Sequence, residues 1–173
     1  KWNASDGSFL SNESATVSLK IQKVNDPPSL SNIEPQALLY SLGDPAITIT
    51  ESIVINDVDD NSIYSAKISI SENFAKGDVL ALGVGASPII LSSYNAITGE
   101  LELTGKDSRA NYEAALKKVV FSSPVSGDAA ISDKKISFVV KDSVDVSNTS
   151  SRIVSITEVF PELSIVTAFT PND

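Results

Sequence analysis

ISFVVKDSVDVSNTSSRIVSI, running from Ile136 to Ile156, decides the fold class. Its two ends, Ile136-Ser137-Phe138-Val139 and Ile153-Val154-Ser155-Ile156, alternate apolar with small polar side chains. Period two is the signature of a strand with one face in a core and the other in water. A polar loop that opens on Asp142 separates the two runs.

The same pattern spreads outward along the chain. Val17, Leu19 and Ile21 alternate with Ser18, Lys20 and Gln22, and shorter runs occur at Ile47-Thr48-Ile49, Ile68-Ser69-Ile70 and Leu101-Glu102-Leu103. Turn clusters divide them: Gly43-Asp44-Pro45, Asp59-Asp60-Asn61, Lys76-Gly77-Asp78, Thr98-Gly99 and Ser126-Gly127-Asp128. Short alternating runs with turn signals between them predict an all-β chain folded as an antiparallel β-sandwich.

One segment breaks the period. Ser108 to Lys117 reads SRANYEAALK. Its alanines favour a helix, Tyr112 and Leu116 share a face, Ser108 can cap the first turn, and Glu113 precedes Lys117 by four. The spacing predicts one connecting helix over about 108–117, covering one end of the sandwich.

Composition narrows the chemistry. The 173 residues include no Cys and no His, and the formal net charge is -9. That removes thiolate nucleophiles, disulfides, imidazole bases and His-ligated transition metals. The acidic balance argues against nucleic acid, and no apolar run approaches the about 18 residues of a membrane span. Oxygen-ligated hard cations and carboxylate acid–base chemistry remain. A glycosidase needs two separated carboxyls in a cleft, usually beside aromatics, whereas these acids cluster and the aromatics scatter, so no enzyme is expected.

The segments around Asp6 and Asp142 share a shape: a strand end meets an Asp, a polar loop follows, then an alternating run. This repeat predicts tandem organisation, with residues 1–26 as the terminal hairpin of one module, 27–160 as a complete module and 161–173 as the start of another element. At the boundary, Asn25-Asp26-Pro27-Pro28 forms a stiff linker, because two prolines fix φ and remove two donors.

VNDPPSL (Val24–Leu30) resembles the linker of cadherin-like tandem repeats in bacterial surface adhesins. TITESIVINDVDDNSIYSAKISIS, ITGELELTG followed by NYEAALKKVVF, and ISFVVKDSVDVSNTSSRIVSITEV are similar to the successive strands and helix of such repeats. LSIVTAFTPND (Leu163–Asp173) looks like the opening of the C-terminal domain of gliding-motility-associated proteins of Bacteroidetes, which serves type IX secretion. The resemblance implies a cadherin-like or Ig-like sandwich that is secreted or held at the bacterial cell surface. It implies a structural or adhesive stalk module whose partners are its neighbours in the same chain and an unidentified surface glycan or protein. A carbohydrate-binding accessory module is the alternative; it would need exposed aromatics, and Tyr64, Tyr94 and Tyr112 read better as packing.

Asp57, Asp59 and Asp60 crowd one loop beside Asn56 and Asn61. Three carboxylates so close repel one another unless water or a cation compensates. Carried over from cadherins, calcium would be held by Asp57 and Asp59 of the loop, Asn25 and Asp26 of the linker and Asp142 after the late strand, with Glu51 and Asp60 as secondary ligands. The sequence departs from the cadherin linker at Lys23 and Pro27. Asn3, Asn12 and Asn148 begin glycosylation-type triplets that read here as plain polar loops, and Gly83 to Pro88 reads as a loop between strands.

Overall fold

The computed structural model describes residues 3–10, 12, 16–22, 24–124 and 131–157. In chain order they form β1 (Ser29–Ser31), β2 (Leu38–Ser41), β3 (Ile47–Thr48), β4 (Val54–Asn56), β5 (Ser62–Glu72), β6 (Val79–Leu82), β7 (Leu91–Asn95) and β8 (Glu100–Ser108). Helix α1 (Arg109–Leu116), β9 (Val119–Ser122), β10 (Lys134–Lys141) and β11 (Ser150–Thr157) follow.

Six strands make one sheet in the order β2-β11-β10-β5-β8-β7, three make another in the order β3-β9-β6, and β1 pairs with β4. The chain is thus an all-β sandwich. The alternation that predicted β10 is the alternation that fills its core: Ile136, Phe138 and Val140 are buried, as are Ile68 and Ile70 of β5 and Leu101 and Leu103 of β8. Opposite them, Ile49, Leu80, Val119 and Phe121 complete one apolar cluster. Phe121 meets Tyr40 edge-on at 5.2 Å. The ladders of β5 are irregular at two points, one of them against β10 between Lys135 and Ile136. The β5–β8 ladder shifts register between Ile63 and Ser65, opposite Gly105, so Ile63 and Ala66 both face inward although they lie three apart. Gly105 sits at φ 122°, and a Cβ there would collide with the Ile89 carbonyl oxygen.

The first strand switches sheets. β1 lies antiparallel to β4, with Ser29 opposite Asn56. The chain then crosses over, and β2 runs parallel to β11, with Leu38 opposite Val154 and Ser41 opposite Thr157. Every other strand pair is antiparallel, as predicted. These registers define two poles. Residues 24–28 reach β1 beside the β4–β5 loop and the β10–β11 loop, at the linker pole. β11 starts there, with Ser150 opposite Phe138, and ends at Thr157 beyond Lys134, at the exit pole.

The predicted helix is present, one residue shorter at each end. The Ser108 hydroxyl accepts from the Asn111 N–H at 3.2 Å, and Glu113 pairs with Lys117 at 2.8 Å. Tyr112 and Leu116 are fully buried. α1 carries the chain from β8 in one sheet to β9 in the other.

One predicted strand is not formed. Residues 16–22 belong to no sheet, and Val17, Leu19 and Ile21 are 64%, 89% and 93% exposed. Alternation alone makes no strand: among the described residues the segment has no neighbouring strand for its backbone and no core for its apolar row. The predicted turn at 126–128 and the element from residue 161 lie outside the described residues.

Candidate cation site at the linker pole

Three segments meet at the linker pole. Asp26 offers its backbone N–H to Asp59 Oδ1 at 3.4 Å, and Asn25 Nδ2 donates to Asp142 Oδ2 at 2.9 Å and to Asp145 Oδ2 at 3.0 Å. Asn25, Asp26, Asp57, Asp59 and Asp142, far apart in sequence, therefore belong to one polar end. Asp145 joins them. Nothing in the sequence singles it out, because its partner Asn25 lies 120 residues away.

Each loop is built around a carboxylate. Asp57 Oδ1 accepts the N–H groups of Asp59 and Asp60 at 3.1 and 2.8 Å, which folds the DVDD turn. Asp60 Oδ1 accepts from the Ser62 N–H at 3.0 Å and so turns into the start of β5. Asp142 Oδ1 accepts from the N–H groups of Val144 and Asp145, both at 2.6 Å. Burial pushes the Asp142 carboxyl up, but the hydrogen bonds from Asn25, Val144 and Asp145 outweigh it and hold the group below its ordinary value. Arg109, at the first position of α1, donates to the Asp57 carbonyl at 2.6 Å. Asn148 replaces a neighbouring strand for Leu30: its side chain accepts the Leu30 N–H at 2.8 Å and donates to the Leu30 carbonyl at 3.0 Å. Both the oxygen and the nitrogen of its amide take part in that contact.

Glu51 is elsewhere. It precedes β4, at the end of the β1–β4 ribbon away from Asn56, and its backbone N–H donates to Glu34 Oε1 at 2.9 Å. Antiparallel pairing separates it from the Asp57 loop by the length of β4, so it is no part of this cluster.

The oxygens suit a hard cation in kind: carboxylates, a side-chain amide and backbone carbonyls are calcium's ligands. Asp57 Oδ2 is buried and has no hydrogen-bond partner, which leaves one carboxylate oxygen uncompensated in a strongly acidic end. Among the described residues no three acidic side chains converge on one point as they stand. Asn25 Nδ2 lies between Asp142 and Asp145, where a cation bridging them would sit.

The exit pole holds a different polar group. Lys134 Nζ lies 3.2 Å from Asp78 Oδ2 with both side chains fully buried, and it also donates to the Asn73 carbonyl at 2.6 Å. Asp78 further accepts from the Ser123 hydroxyl at 2.7 Å and the Ala75 N–H at 2.8 Å, and Tyr94 donates to its carbonyl at 2.6 Å. Every charged atom in the pair has a partner, so the group ties the β5–β6 loop to β10. Of the predicted packing aromatics, Tyr112 is buried, Tyr94 partly buried and Tyr64 36% exposed beneath Lys106.

No family model matches the chain, and no curated protein matches its sequence.

Proposed function

We propose that this chain contributes a stalk module to an extracellular bacterial surface protein, one unit in a head-to-tail series. One observation carries the reading: the chain arrives through Asn25-Asp26-Pro27-Pro28 at one pole and leaves β11 at the other. A module with its connections at opposite ends adds its full length to a series. β5, with 11 residues, gives that length as about 36 Å at roughly 3.3 Å per residue. Two prolines next to β1 limit bending at the joint. The resemblance of Val24–Leu30 to adhesin linkers points the same way.

Calcium at the linker pole would stiffen the joint further. Asp57, Asp59, Asp142 and Asp145 would supply carboxylates, and the Asn25 amide would turn its oxygen toward the ion. Calorimetric titration checks this. The unmutated chain should release or absorb heat with millimolar calcium, and Asp57→Ala/Asp59→Ala should lose the signal. A chain silent at millimolar calcium would remove the cation from the proposal and leave the stalk geometry standing.

A further inference from the structure

The six-stranded sheet ends in two unlike edges. β2, at one end, borders a groove that Glu34, Asp44 and Glu51 also line. β7, at the other, has β8 on one side and, among the described residues, no strand on the other. From Val79 to Gly99 the chain carries no Asp, Glu, Lys or Arg, the longest such stretch in its sequence. β7 lies within it and reads LSSYN. Natural sheet edges are commonly blunted by a charge, a proline or a bulge. β7 contains neither a charge nor a proline, and its ladder to β8 keeps one register throughout. Apolar side chains stand in the open along it and at both its ends: Ile89 is 56% exposed, Leu91 66% and Ile97 86%.

We propose that β7 pairs antiparallel with β7 of a second copy of the chain, across a two-fold axis at Ser93, and so joins two six-stranded sheets into one. Antiparallel pairing about a central residue sets positions equally far before and after it opposite each other, which is the self-complementarity that a two-fold contact requires. Ser93 is the middle residue of Leu91–Asn95, so this axis gives every residue of the strand a partner. Leu91 of one copy meets Asn95 of the other. Ile89 meets Ile97, because each lies four residues from Ser93. The two exposed isoleucines that flank the strand therefore cover each other, and symmetry repeats the contact. Electrostatics favour the same edge. Each copy carries a formal net charge of -9, so two copies repel wherever acids face acids, as they would along β2. The uncharged β7 edge avoids that cost. The proposal is independent of the stalk reading and of any cation.

A contact of this length belongs with weak interfaces, below about 1,200 Å², so the dimer is expected at high protein concentration. The chain has no Cys, which makes the axis directly testable. In the dimer Ser93→Cys stands opposite itself, where facing Cβ atoms lie about 4.5–5.5 Å apart and a small adjustment permits a disulfide. Under mild oxidation Ser93→Cys should form a disulfide-linked dimer at least tenfold faster than Thr149→Cys, an exposed loop position away from β7. Sedimentation velocity of the 173-residue chain over a concentration series should show self-association that grows with concentration. Ser93→Glu sets two like charges face to face across the axis and should weaken that association at least tenfold. Ser93 is exposed, so the melting curve of the dilute variant should not change. A chain that stays monomeric at every concentration overturns the proposal, and so do equal cross-linking rates at positions 93 and 149. Association that persists undiminished in Ser93→Glu overturns it in favour of another surface.

Discussion

Glu34 shows how a surface acid becomes structural. Burial pushes its carboxyl up, yet hydrogen bonds from the Thr50 hydroxyl at 2.6 Å and the Glu51 N–H at 2.9 Å prevail and bring it to about 2. A folded-state pKa below the unfolded one contributes stability above the unfolded value and loses it as pH falls through the folded one. The window here runs from the ordinary 4.5 down to about 2, and Asp142 adds to it in the same direction. Urea midpoints measured from neutral pH downward should therefore show Glu34→Gln less stable than the parent at neutrality. The two curves should converge as the pH drops toward 2; parallel curves would refute this assignment. Residue identity alone went part of the way at this scale. The Asp57 loop and Asp142 were legible because carboxylates so crowded or so placed need compensation. Asp145 and Asn148 were not, because their roles depend on Asn25 and Leu30, which only the register of β1 brings near. Glu51 misled for the same reason: six residues from Asp57 in sequence, it lies at the far end of a strand.

Among the elements, those with a strong period were readable and those without were not. β10 and α1 announced themselves through Ile136-Ser137-Phe138 and SRANYEAAL, where local preference and burial agree. β7 gives no such signal, since four of its five residues are exposed at a sheet edge. Thr16–Gln22 had the signal and, among the described residues, lacked the neighbour. The elements are also joined by contacts that no pattern reveals, above all the buried Lys134–Asp78 pair between β10 and the β5–β6 loop. Asp78→Ala should lower stability by about 3–5 kcal/mol, because it leaves a buried ammonium with no counter-charge. Asp78→Leu/Lys134→Met should recover most of that loss. Equilibrium denaturation of the three proteins decides it, and a double variant as unstable as the single one would mean that the pair supplies net attraction beyond mutual compensation.

For the whole molecule, the parallel pairing of β2 with β11 sets how the fold answers tension. A pull applied at Val24 and Thr157 draws β2 toward the linker pole and β11 toward the exit pole. The two strands then slide along their common axis, so the registered pairs from Leu38–Val154 to Ser41–Thr157 strain together. A pull across Leu91 and Thr104, at the open end of the β7–β8 hairpin, instead peels one pair at a time. Single-molecule extension should register a rupture force several-fold higher for the first pair of handles than for the second, and equal forces would contradict this geometry. One strand crossing between sheets thus gives the domain an anisotropic strength: it resists stretching end to end and yields to unzipping from the side.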